Sequence, residues 1–180
     1  MKSLIYLTFF ILLLTFSSFF TAHAQSTPEE LGKRLFNLFK ERSADFSPVL
    51  PTMDQLQENV QVMTDIPFQN RLEVFSREYP ISVKRFNDKC AGILEKGKNA
   101  GIHWRRIKLE SVNTYPQTVE VKFADQTATV KFTKLCINFS FRKLQYTFIA
   151  DAVMEFKGQY LICDDLIEFS VIATNTWYEP

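Results

Sequence analysis

Histidine is nearly absent from this chain, and that shortage narrows the chemistry open to it. Two histidines occur in 180 residues, and His23 falls in the first 24, leaving only His103 for a folded domain. A transition-metal site would have to lean on cysteine, yet Cys90, Cys136 and Cys163 include no C-x-x-C pair. That excludes the usual zinc arrangements, and no metal or cofactor is expected. A G-x-S-x-G elbow is also missing. A Ser-His-Asp hydrolase built on His103 therefore lacks its local signature, and a surface residue at a strand start is the plainer reading. Blocks of like charge, low-complexity tracts and internal repeats are absent too. Without Lys2 the chain carries 20 basic and 20 acidic residues, so nucleic acid and acidic membrane surfaces are poor partners.

What is present begins with a leader pattern. Lys2 precedes a mainly apolar run of 17 residues, Leu4–Phe20, and Ala22-His23-Ala24 then offers a small-residue cleavage site. Residues 1–24 are expected to be a secretory signal peptide. An uncleaved anchor is the competing reading, because 17 residues sit at the lower edge of a membrane span. No cysteine follows the run for lipid attachment, and no second run could span a membrane. Residues 25–180 then form one domain by length, large enough for a sizeable core, and exported to the periplasm or the extracellular space.

The first part of that domain has helical spacing. Thr27-Pro28-Glu29-Glu30 supplies a cap, a proline at the first helical position and a capping-box acid. Leu31, Leu35, Leu38 and Phe39 follow as one stripe, ending near Ser43. Asp45–Pro51 is a loop. Thr52 with Gln55 repeats the capping pattern ahead of Leu56, Val60 and Met63. Phe68, Leu72 and Phe75 suggest a short third helix that Pro80 interrupts. A fourth, over 81–98, buries Phe86, Cys90, Ile93 and Leu94, with Gly101 just past its end.

From Ile102 the pattern turns to strands. His103–Val112 is expected as the first, and Tyr115-Pro116 as a turn. A hairpin with Asp125-Gln126 as its loop pairs Ala124 with Thr127, Val121 with Val130 and Glu120 with Lys131. A parity switch before Leu135 calls for a bulge at Thr133-Lys134. A two-residue loop at Arg142-Lys143 then pairs Phe141 with Leu144, Phe139 with Tyr146, Ile137 with Phe148 and Leu135 with Ala150. All are apolar and on one face, so the register is strongly specified. A second loop at Lys157-Gly158 pairs Phe156 with Gln159, Met154 with Leu161 and Ala152 with Cys163. Residues 144–156 thus form one long strand with different neighbours along its length.

Helices followed by antiparallel strands make an α+β domain: three to four N-terminal helices packed on a curved sheet of five to six strands. This order resembles the nuclear-transport-factor-2-like superfamily, with its ketosteroid isomerases and SnoaL-like cyclases. The local patterns behind the resemblance are the Gly101-Ile102-His103-Trp104 entry into the first strand and Gly158-Gln159-Tyr160-Leu161 in the last hairpin. The resemblance implies a cone-like sheet, sometimes with a hydrophobic ligand inside, and carries no catalytic motif. A cystatin-like sheet wrapped on one helix is the nearest rival.

Candidate sites follow from the register. Extending the last hairpin sets Asp164 against Asp151 and places Asp165 on the apolar face, opposite Ala150 and near Tyr146. There desolvation would raise its pKa and suit it to acid–base work, in the way ketosteroid isomerases pair acids with tyrosine. Alternatively Asp164-Asp165 is a bulge or turn with both carboxylates in water. A hard-cation site from Asp151, Asp164 and Asp165 lacks a spaced loop of oxygen ligands. Ala150 and Ala152 interrupt a row of large side chains. They leave room for an apolar ligand beside Trp104, Tyr146 and Phe148, or admit a helix side chain such as Phe86. Cys136 shares a face with Asn138 and Ser140, so Cys90 and Cys163 are the pair that a disulfide would join, buried thiols being the alternative. The sequon Asn138-Phe139-Ser140 lies mid-strand. The leading expectation is a non-enzymatic binding domain for a small apolar molecule or a protein, a second copy of the chain included. The runner-up is an isomerase-, cyclase- or hydrolase-like enzyme using Asp165 and Tyr146.

Overall fold

A computed structural model of the chain describes residues 26–62, 69–123, 126–163 and 167–172. Residues 1–24, the expected signal peptide, lie outside these residues. Among the described residues three α-helices, α1 (Pro28–Glu41), α2 (Met53–Val62) and α3 (Gln69–Asn99), precede five strands. The strands are β1 (Lys108–Phe123), β2 (Gln126–Phe141), β3 (Leu144–Phe156), β4 (Gln159–Ile162) and β5 (Ile167–Ile172). They form one curved, unclosed antiparallel sheet in an α+β fold.

The starts of α1 and α2 follow from their capping residues. Thr27 Oγ1 accepts from the Glu30 N–H at 3.2 Å. Glu30 reaches one residue further back than a capping box requires, accepting at 2.8 Å from both the N–H and the hydroxyl of Ser26. At α2 the box is reciprocal: Thr52 N–H donates to Gln55 Oε1 (2.8 Å) and Gln55 N–H to Thr52 Oγ1 (3.2 Å). Pro80 does not interrupt the chain, and α3 runs through it as a single helix. Pro80 and its neighbours Ile81 and Ser82 are exposed, so the proline lies on the solvent side of the helix and not in its packing. Of the stripe expected on α3, Phe86, Cys90 and Ile93 are buried and Leu94 packs against the core.

β3 is the spine. Its first half pairs with β5, its second half with β4, and β2 runs along its other edge. Phe141↔Leu144, Phe139↔Tyr146, Ile137↔Phe148 and Leu135↔Ala150 occur as the alternation requires. Lys157 and Gly158 both take positive φ, 49° and 78°, the signature of a tight hairpin turn.

Four strand details differ from expectation. β1 begins at Lys108 rather than His103, because Trp104–Arg106 forms a 3-10 turn first. β1 continues through Tyr115-Pro116, which pair with Lys134 and Thr133. As an edge strand it has no outer ladder for a proline to break. The β1–β2 register is offset by two from the expected one, with Val119 opposite Val130, Glu120 opposite Thr129 and Lys131 opposite Thr118. A two-residue shift leaves every side chain on its face, so alternation alone cannot detect it. Finally, the irregularity between Thr133 and Leu135 carries its extra residue on β3, where Ala150 and Val153 are the flanking partners. The bulge turns Val153 inward, paired with Ile162, each 1 % exposed. Ala152 is left half-buried and Cys163 exposed, so neither lies on the core face.

α1 covers the sheet. Leu31, Leu35, Phe36 and Phe39 are buried, and a methyl at Gly32 would stand 2.5 Å from Val112 Cγ1. Glycine here lets the helix lie close on β1.

Candidate functional site: a cationic cleft beside Trp104

The concave face holds most of the residues singled out from the sequence. Tyr146, Phe148 and Ala150 are buried there, and Trp104 reaches them from its 3-10 turn. Their neighbours fill the space between them. Phe39 stacks on Phe148, Tyr146 lies between Phe139 (5.3 Å) and Phe169 (5.9 Å), and Trp104 stacks on Phe148 at 6.1 Å. Ile167, not Asp165, stands opposite Ala150, because the chain between β4 and β5 is longer than a direct continuation of the hairpin. Asp164 and Asp165 lie outside the described residues. Asp151 is engaged elsewhere, its Oδ1 2.7 Å from Lys134 Nζ across the bulge. That hydrogen bond holds the Lys134 ammonium above its usual pKa.

His103 is exposed at the start of the 3-10 turn, its ring 5.9 Å from Phe141. Cys90 and Cys163 are not bonded to each other. Burial pushes the Cys90 thiol pKa far up, and the Cys163 thiol donates to Leu161 O at 3.6 Å. Among the described residues, no group of three or more His, Cys, Asp or Glu side chains could hold a metal ion. None of their helices is long and apolar enough to cross a membrane.

The large hollow lies outside the sheet, where the C-terminal ends of α1 and α3 meet the Trp104 turn. It measures about 790 Å³, within the range of small-ligand sites. Its construction starts at Trp104. The indole N–H donates to Leu94 O at 2.8 Å, which fastens the ring along the last turns of α3. Gly97 makes room for it, since a Cβ there would overlap Cζ2 and stand 2.9 Å from Cε2 and Cη2. Gly101, at φ +80°, then reverses the chain, with Ile102 N–H donating to Gly97 O (2.8 Å) and Gly101 N–H to Lys98 O (3.0 Å). The floor is apolar, made by Ala91, Leu94, Ile102 and Trp104.

The rim is cationic. Arg42, Lys98, Arg105 and Arg106 line it against one carboxylate, Glu95. All four cations are exposed, and none of them forms an ion pair among the described residues. Arg42 caps α1 in the left-handed conformation, φ 59° and ψ 47°, which costs a residue with a Cβ about 1–2 kcal/mol relative to a right-handed one. Nothing in the sequence marked this cleft as a unit. Its only local signal was the Arg105-Arg106 pair beside Trp104. A smaller crevice of about 220 Å³ lies between α3 and β4, lined by Leu50, Tyr79, Phe86 and Cys163 among others.

No family model, no curated protein and no solved structure matches this chain.

Proposed function

We propose that the chain is an exported, non-catalytic binding domain that takes a small ligand in the cleft beside Trp104. One observation carries this reading. The hollow of ligand size, about 790 Å³, is lined by unpaired polar groups over an apolar floor, whereas the concave face of the sheet is packed with aromatic rings. Export rests on the leader pattern of residues 1–24. The cone-like form of the nuclear-transport-factor-2-like superfamily is part of the same proposal, supported by the element order and the bulged central strand. An apolar ligand inside the sheet would have to displace Phe39 from Phe148. The isomerase-, cyclase- or hydrolase-like alternative would draw on Tyr146, whose ring is already sandwiched in the core.

The test is native mass spectrometry of the protein purified from cells expressing the full chain, followed by denaturing extraction. A retained small molecule that is lost from an Arg42→Glu/Arg105→Glu variant supports the reading. A ligand kept by that variant and lost from Tyr146→Ala would move the site into the sheet. Edman sequencing of the exported protein should begin at Gln25.

A further inference from the structure

We infer that the ligand of this cleft is an amphipathic anion, a carboxylate- or phosphate-bearing molecule with an apolar body. The inference rests on the cleft being a binding site, and adds the chemistry it selects. Four unpaired cations over one carboxylate give the rim a strong positive bias. The chain without its leader is otherwise balanced at 20 basic and 20 acidic residues. The bias is therefore local and does not reflect an overall basic character.

Cations commonly gather at helix C-termini because they complement the exposed carbonyls. Here N–H groups of the backbone and of the Trp104 indole already take several of those carbonyls. Leu38 O and Phe39 O accept from Ser43 N–H (2.9 Å) and Arg42 N–H (3.0 Å). Lys96 O, Gly97 O and Lys98 O accept from the N–H groups of Ala100, Ile102 and Gly101, and Leu94 O accepts from the Trp104 indole. The four side chains remain available to an incoming acid, and each of the three guanidinium groups can grip a carboxylate or phosphate with paired N–H donors.

The floor sets the other half of the specificity. Ala91, Leu94, Ile102 and Trp104 offer an apolar surface with nothing for a hydrated, tail-less anion to bond. A ligand that uses both parts places its charged head among Arg42, Arg105 and Arg106 and lays its body along Leu94 and the Trp104 edge. Apolar burial supplies the binding energy and the guanidinium groups the selection by charge.

Dodecanoate, below its micellar concentration, is the probe. It should bind the purified protein at one site, change Trp104 emission, and weaken as salt rises. Dodecyltrimethylammonium, with the same tail and opposite charge, should bind at least about tenfold more weakly, a difference of one guanidinium–carboxylate contact. Acetate and inorganic phosphate should not bind detectably. Arg42→Glu/Arg105→Glu should lose about tenfold or more in dodecanoate affinity with unchanged circular dichroism, while Lys131→Glu on β2 should bind normally. Equal affinity for both tails would overturn the anionic selection yet leave the cleft as a binding site. Binding of phosphate alone would overturn the apolar half. Dodecanoate binding that ignores the double variant, or no binding of any probe, would overturn the inference, and the former would also remove the cleft as the site.

Discussion

The Phe39 ring stacks on the Phe148 ring, centroids 4.2 Å apart and planes inclined by 17°. This pair joins α1 to the middle of β3, and both side chains are 0 % exposed. Around it stand Phe46, Trp104 and Phe139 at 4.6–6.1 Å from one ring or the other. The contact packs α1 shut against the sheet, which is why the proposed binding site is placed at the margin of the sheet and not inside it.

Phe39→Ala should therefore cost about 3–5 kcal/mol, the range for removing a fully buried phenyl ring. Urea denaturation gives the value directly. A loss below about 1 kcal/mol would mean that the ring does not fill the interior. Dodecanoate affinity should change far less than stability, because Phe39 does not line the cleft.

Two glycines of α3 should respond in opposite directions. At Gly92 an added methyl meets nothing within 4 Å, so Gly92→Ala should stabilise by about 0.5–1 kcal/mol through helix propensity. At Gly97 the same change drives a methyl into the Trp104 indole. Overpacking of that kind costs about 1–3 kcal/mol, which outweighs the propensity gain of at most ~1 kcal/mol. Thermal melts of the two variants, with Trp104 emission as a second readout, check this. Equal stabilisation of both would show that the indole does not press against Gly97.

The same contrast shows what could be read from residue order. The hairpin at Arg142-Lys143 was legible because four apolar pairs and a loop agree on one register, and a one-residue slip would expose them all. The β1–β2 hairpin was legible only modulo two residues, since such a shift keeps both faces intact. Pro80 and Pro116 misled for a shared reason. Each looks like a stop signal, but an exposed helix segment and an edge strand tolerate a missing N–H. The cleft showed locally only as the Arg105-Arg106 pair beside Trp104. Most of its lining falls within 91–106, but Arg42 comes from the end of α1, and the parts meet because Gly97 and Gly101 let α3 end against Trp104.

The Glu30 carboxylate should make the acid limb of the stability profile steeper. Hydrogen bonds from the Ser26 hydroxyl and N–H hold its pKa below the usual 4.5. A carboxylate whose folded pKa is depressed contributes stability above its unfolded pKa and loses it as pH falls through the folded value. The contribution is therefore complete at neutral pH and disappears below about 4.5. Melting temperatures of wild type and Glu30→Gln should converge as pH falls from 6 toward ~3. A constant gap across that range would show that the carboxylate charge is not what Ser26 recognises.

The three cysteines should separate by rate. Cys90 is 0 % exposed and its thiol pKa is raised by burial, so alkylation must wait for an opening of α3. Cys136 is half-buried at the bulge, where burial first and the Asp151 charge after it raise its pKa. Cys163 is exposed at the end of β4. Iodoacetamide under native conditions should label Cys163 first, Cys136 next and Cys90 last, resolved by peptide mass spectrometry. In denaturant without reductant, all three thiols should titrate. One titrating thiol would instead mean that a disulfide forms, with Cys90 and Cys163 as the expected pair. In that case the exposed position of Cys163 and the inward turn of Val153 could not both hold, because a bond to buried Cys90 would draw β4 toward α3.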